Sequence, residues 1–251
     1  MPAFPLLTHR MLRMARAAAS LMLLPVLALT AGGATAFDIP PPPPPLYEGL
    51  ILPLFPNSTA VPFTGQSGGV GRHRRAQAEG GSTRASTLAT GRPQVQANAR
   101  ELAQVAPPAM REQMARAYVQ SFDTWRQLER KLGLPADDVA SAVAAFIAGN
   151  YMAYRDAEVP DAGYLRLVEQ LRGALAANPR LARASDADRR RLYEQMAMVG
   201  TFMAVARLSL QQQPNPQVEQ SFRDAAAANL ETALKVPAAQ VRITEQGLTL
   251  R

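Results

Sequence analysis

The sequence predicts an all-α domain: an orthogonal or irregular bundle of about six helices closed by a small C-terminal β-hairpin. Two features lie ahead of it, an export signal and a proline- and glycine-rich tether. Three observations carry this reading. Ala, Leu, Met, Gln, Arg and Glu, all good helix formers, dominate the chain after its first hundred residues. Apolar residues there recur three or four apart. Only beyond Pro237 does the period change to two.

Residues 1–36 read as a signal peptide. Arg10, Arg13 and Arg16 precede an apolar run from Ala17 to Ala31, and Ala34-Thr35-Ala36 places small residues where a signal peptidase would cut before Phe37. An uncleaved anchor is the alternative, but the run is short for a span and contains Pro25. Met11 and Met14 are alternative starts that leave this reading unchanged.

Residues 37–92 form the tether. Pro40 to Pro45 can only be a polyproline II rod, because none of them donates a backbone hydrogen bond. LYEGLILPLFP, residues 46–56, is apolar but broken by proline, and suits docking onto its own domain or onto a partner. From Asn57 to Gly91 the composition turns to Ser, Thr, Gly and Arg, too polar to order itself.

The helical domain spans 93–251. A first helix covers 93–106 and stops at Pro107-Pro108. The next segment, 109–132, carries Met110, Met114, Tyr118, Phe122, Trp125, Leu128 and Leu132 as an inward stripe, with a break expected at Ser121 and a C-cap at Gly133. A third helix follows, with Pro135 in its first turn and Asp137 and Asp138 at the positive end of its dipole. It is apolar on most faces, which marks it as the centre of the bundle. Its stripe of Val139, Val143, Phe146 or Ile147, Asn150 and Tyr154 puts Asn150 on the buried side. Gly149 costs about 1 kcal/mol of helix propensity relative to Ala, and a close approach to Gly200 in a later helix would offset that loss.

Residues 160–178 place Tyr164, Val168, Leu171 and Leu175 on one stripe of a half-exposed helix. Ser185 and Asp188 make a capping box for a long helix to residue 212, with a seam of Leu192, Met196, Val199, Met203, Ala206 and Leu210. Asn215-Pro216 starts the last helix, which ends near residue 235. VRIT at 241–244 and LTL at 248–250, joined through Gly247, form the hairpin.

Composition also restricts the chemistry. There is no cysteine, hence no disulfide and no lipid attachment through one. The two histidines, His9 and His73, both lie ahead of the helical domain, which removes histidine general bases and His or Cys zinc sites from it. No phosphate-binding glycine loop follows a strand. The net charge of +7 falls to +4 without Arg10, Arg13 and Arg16, and much of the remainder sits in the tether, so nucleic acid is not an expected partner.

Carboxylates remain. Asp137 with Asp138, Asp156 with Glu158 and Asp161, and Asp186 with Asp188 are local acidic groups that suit a divalent cation or glycan cleavage. Their positions in first turns and in a solvated connection favour structural roles. Arg189-Arg190-Arg191 reads as a solvated, charge-compensated face, Met196, Met198 and Met203 as core filling, and Tyr118, Phe122 and Trp125 as an aromatic anchor.

The order Gly133-Leu134-Pro135-Ala136-Asp137-Asp138-Val139-Ala140, then Asn150-Tyr151, then VRITEQGL from Val241 to Leu248, resembles a proteobacterial family of exported proteins catalogued only as a domain of unknown function. The similarity runs from about Pro93 to the C-terminus. Tyr151 fits the aromatic that follows the mid-helix Asn in that family, and Leu248 stands where an aromatic often follows the terminal Gly. The resemblance implies an all-helical exported domain and brings no catalytic residues with it.

The functional expectation is a non-enzymatic binding or structural module of the cell envelope, periplasmic or secreted. It has no cofactor, no metal and no stable membrane span after signal cleavage, and its partner is an envelope protein or polymer. The alternatives are an accessory or substrate of a secretion or surface-assembly system, with 46–56 as docking motif, and a carboxylate-dependent cell-wall glycan-cleaving enzyme. The residues singled out, all in structural roles, are Asp137, Asp138, Gly149, Asn150, Gly200 and Gly247.

Overall fold

A helix that is apolar on nearly every face must be enclosed, and the computed structural model, which describes residues 86–251, encloses one. Val139–Arg155 (α3) is buried from Val139 through Tyr151 without interruption. Around it lie Asp161–Ala176 (α4), Asp186–Gln212 (α6) and Pro216–Leu234 (α7), each packed on α3. Val95–Leu102 (α1) and Arg111–Lys131 (α2) pack on one another and on α6. A single turn, Pro179–Arg183 (α5), joins α4 to α6, with Asn178 as its cap and Leu181 buried. Among the described residues this makes seven α-helices and one antiparallel hairpin, the all-α class with a C-terminal hairpin that the periodicity predicts. The segment read as a signal peptide and most of the segment read as tether, including Pro40–Pro45 and residues 46–56, lie outside the described residues.

Several boundaries differ from the sequence reading, each for a local reason. The first helix ends at Leu102 and tightens into a 3₁₀ turn over Ala103–Val105 before the prolines. Ser121 breaks nothing: its hydroxyl donates to the Ala117 carbonyl at 2.9 Å, and α2 runs through. Leu128, expected on the inward stripe, is exposed. At Gly133 (φ 65°) the chain closes as expected of a C-cap glycine, with Leu134 N–H reaching back to the Glu129 carbonyl at 3.0 Å. Pro135 does not enter α3. That helix begins at Val139 with Asp138 as its N-cap, because Asp137 sits at φ 61° and turns the chain first.

The domain also starts earlier than Pro93. Thr87 and Ala89 are buried, and Leu88 forms an antiparallel bridge with Asp138. The Ala89 amide donates to the Asp137 carbonyl at 2.8 Å, and the Val139 amide donates to the Thr87 carbonyl at 2.9 Å. Residues 86–92, read as tether, are therefore a strap laid across the start of α3.

At the other end, Val241–Thr244 (β1) pairs with Gly247–Leu250 (β2), and β2 rests on α4. Glu245 and Gln246 keep negative φ, so Gly247 completes the reversal at φ 94°. A Cβ there would also fall 2.6 Å from Gln170 Oε1. The Gln170 amide bonds both outward groups of Leu248: its oxygen accepts from Leu248 N–H at 2.9 Å and its nitrogen donates to the Leu248 carbonyl at 3.2 Å.

Candidate functional site

The structure places the six singled-out residues in three separate regions. Gly149 and Gly200 meet where α3 crosses α6. A Cβ on Gly149 would lie 2.0 Å from the Gly200 carbonyl oxygen, and one on Gly200 would lie 2.3 Å from the Ala145 carbonyl. The two backbones are in contact. One residue along, Asn150 is fully buried. Its Nδ2 donates to the Phe146 carbonyl at 2.8 Å, and its Oδ1 accepts from Asn229 Nδ2 of α7 at 2.8 Å. Gly247 stands apart in the hairpin turn.

Asp137 and Asp138 belong to the third region, a polar cluster beneath the strap. Asp138 is buried and caps α3. Its Oδ1 accepts from Ala140 N at 3.2 Å, and its Oδ2 accepts from Ser141 Oγ at 2.9 Å and from Arg172 of α4 at 2.6 Å. Asp137 is half-exposed and faces the other way, where Oδ1 accepts from Arg126 at 3.0 Å and from Arg190 at 2.8 Å. The two carboxylates are adjacent in sequence but engaged by different elements, so they do not converge on one cleft as paired glycosidic carboxylates would.

Several members of this cluster escape the sequence reading, Arg126 and Arg172 among them. Arg190, taken for part of a solvated face, is buried. Its Nε donates to the Gly91 carbonyl at 2.8 Å, and its Nη2 donates to the Ala89 carbonyl. Arg189 is half-buried and Arg191 is exposed, so the basic run splits, with only its middle residue turned inward. Glu129 is buried and accepts from Arg126 at 2.9 Å and from the Tyr193 hydroxyl at 2.9 Å. Tyr193 in turn accepts from Trp125 Nε1 at 3.1 Å and from Arg126 at 2.9 Å, which uses every hydrogen-bonding capacity of its hydroxyl. Glu194 is wholly buried and accepts from the Gln94 amide at 3.1 Å and from Asn98 Nδ2 at 2.6 Å.

Burial pushes Glu129 and Glu194 above the ordinary carboxylate range, against the pull of their donors. It also raises the Tyr193 hydroxyl. For Arg190 and Tyr193 alone the sequence carries a periodic signal: with Ala197 and Gly200 they recur at helical spacing along one side of α6.

The strap fits this cluster closely. Thr90 Oγ1 donates to Asp186 at 2.7 Å, and a Cβ on Gly91 would lie 2.4 Å from the Asp186 carbonyl oxygen. Arg190, Asp137 and Glu194 thus form a clasp on the incoming chain, built from one guanidinium and two carboxylates.

The remaining acidic groups do not gather. Asp156 ends α3 at φ 49° and accepts from Arg207 Nε at 2.9 Å, while Glu158 and Asp161 are exposed. Asp188 accepts from Ser185 Oγ at 2.6 Å within the capping box of α6. No group of three or more His, Cys, Asp or Glu among the described residues could hold a metal ion. Nor is any helix among them long and apolar enough to cross a membrane. Met196, Met198 and Met203 are buried in the core, as are Tyr118, Phe122 and Trp125.

No curated protein and no solved structure matches the chain. One family model does, and it begins well inside the segment read as tether rather than at Pro93. It covers residues 64–251, and on that match the chain belongs to the family of unknown function DUF6683.

Proposed function

We propose that this protein is an exported, non-enzymatic helical module of the cell envelope, periplasmic or secreted, that binds or supports another envelope component. In this reading the proline-rich segment ahead of the domain gives it reach. The observation that carries the proposal is the clasp. A chain leading into the fold is gripped at residues 89–91 by Arg190, which is itself held by Asp137, so the upstream segment leaves the domain from a fixed point. Such an attachment suits a domain held at the end of a tether. The signal-type N-terminus and the run Pro40–Pro45 support the same reading.

The test is recovery of crosslinked partners from the envelope with a tagged full-length protein and with a variant lacking residues 40–85. That deletion leaves the strap from Ser86 in place. Partners captured by both proteins support binding through the helical domain. Loss of partners on deletion, with the fold intact, assigns docking to the tether and favours an accessory or substrate of a surface-assembly system. Retention of the protein inside the cell, or the absence of any envelope crosslink, overturns the proposal.

A further inference from the structure

An uncompensated pair of charges lies where the hairpin meets the end of α3. Arg155, the last residue of α3, donates through Nη2 to the Ala239 carbonyl at 2.7 Å, and Arg242 of β1 donates through Nη1 to the same carbonyl at 2.8 Å. Two guanidiniums therefore share one neutral oxygen, their donor nitrogens no farther apart than those two bonds allow. Arg242 Nη1 also donates to the Val241 carbonyl at 2.9 Å, and the Tyr154 ring centre lies 5.1 Å from the Arg155 guanidinium carbon. Backbone and ring hold both cations in place.

Neither arginine forms an ion pair among the described residues. Two neighbouring acids are committed elsewhere. Asp156 accepts from Arg207 at 2.9 Å and from Gln211 at 2.8 Å. Glu231 accepts from the Ala238 amide at 3.0 Å, at the amide end of the 3₁₀ turn Ala238–Gln240, whereas the guanidiniums gather on a carbonyl, which points to the turn's other end. Open donors remain. Arg155 Nε is buried, but Arg155 Nη1 and Arg242 Nε and Nη2 are accessible to solvent and bond nothing among the described residues.

We infer that this pair binds a phosphate monoester group, with the anion held between the two guanidiniums. Such a group carries close to two negative charges and three acceptor oxygens, so each arginine takes an oxygen of its own and both charges are compensated. Guanidinium donors suit phosphate oxygens in geometry as well as in charge. A monocarboxylate brings one charge and leaves the second cation unmatched. The same chemistry occurs on soluble phosphate and on a phosphomonoester lipid headgroup, which the test separates. The site lies at the opposite end of α3 from the strap and stands independently of the envelope reading.

Inorganic phosphate is the probe, titrated into the full chain and followed by backbone amide shifts. The expected result is saturable binding below about 10 mM, with acetate at least about fivefold weaker. The shifts should concentrate at Arg155 and at residues 239–242. Arg155→Gln and Arg242→Gln each leave the Ala239 carbonyl one donor, which preserves the fold, and each should weaken phosphate by about fivefold or more. Arg116→Gln removes an exposed charge on α2 and should leave the affinity unchanged. Vesicles of phosphatidylcholine, with and without phosphatidic acid, identify the source. Sedimentation with the phosphatidic acid vesicles alone, lost in both glutamine variants, assigns a lipid headgroup, and phosphate saturation without sedimentation assigns a soluble phosphate. The inference is overturned by shifts that do not saturate at this corner, by equal binding of acetate, by unchanged affinity in Arg155→Gln and Arg242→Gln, or by an equal loss in Arg116→Gln.

Discussion

Asn150 and Asn229 join α3 to α7 by a single amide pair inside an otherwise apolar contact. Their value lies in pairing rather than in polarity, since a buried amide gains little when satisfied and costs much when not. Asn150→Leu removes the acceptor of Asn229 and should destabilise the protein by about 1–3 kcal/mol. The double variant with Asn229→Leu should recover part of that loss, a coupling that a double-mutant cycle in urea denaturation measures directly. A single variant as stable as the parent would show the pair to be dispensable. At the neighbouring Gly149 the issue is space. Alanine is the better helix former by about 1 kcal/mol, yet its methyl would fall 2.0 Å from the Gly200 oxygen. Overpacking against backbone outweighs propensity there, and Gly149→Ala should lower stability by about 2 kcal/mol or more. Urea denaturation that shows it neutral or stabilising would mean the helices can separate cheaply.

At the scale of elements, Arg190 bonds the strap to α6 at two carbonyls, with Thr90 adding one bond to Asp186. Arg190→Met would leave the Ala89 and Gly91 carbonyls without their donor and Asp137 with Arg126 alone. A loss of about 3 kcal/mol is expected, as for removing one partner of a buried ion pair. Hydrogen exchange locates it: protection of the Ala89 and Val139 amides should collapse while that of α7 persists. Strap amides that stay protected would show that backbone pairing alone holds the segment. This part of the fold is hard to read from sequence because Arg190 bonds residues 99 and 101 positions away. Nothing local to the RRR run announces partners that distant, whereas acids just ahead of it announce a solvated face. The helices were legible for the opposite reason, since their period, caps and glycines are local. Gly133, Ser185 and Asn215 each mark a helix end within a few residues of the pattern they interrupt. Asp137 was misread into the first turn because an aspartate at positive φ leaves no trace in hydrophobic spacing.

For the molecule as a whole, the buried glutamates set a pH dependence opposite to ordinary acid denaturation. Glu129 and Glu194 have raised values in the fold, while an unfolded chain titrates them near 4.3. Between the unfolded and folded values the native state holds more protons, so their contribution to stability grows as pH falls through that window and is complete below it. Glu194→Gln removes one of these groups. The stability difference between parent and variant should therefore shift in favour of the parent as pH is lowered from 7 toward about 4.5. Urea titrations at several pH values check this, and a constant or oppositely moving difference would show that Glu194 is held ionised.

The hairpin at the end of the chain has two strands and therefore two rims, and a rim with free N–H and C=O groups is a template on which any extended chain can stack. On β2 that template is already occupied. The Gln170 amide presents one donor and one acceptor to Leu248 at the spacing a third strand would offer. A single helical side chain thereby impersonates a strand, and the sheet stops growing on that side at two.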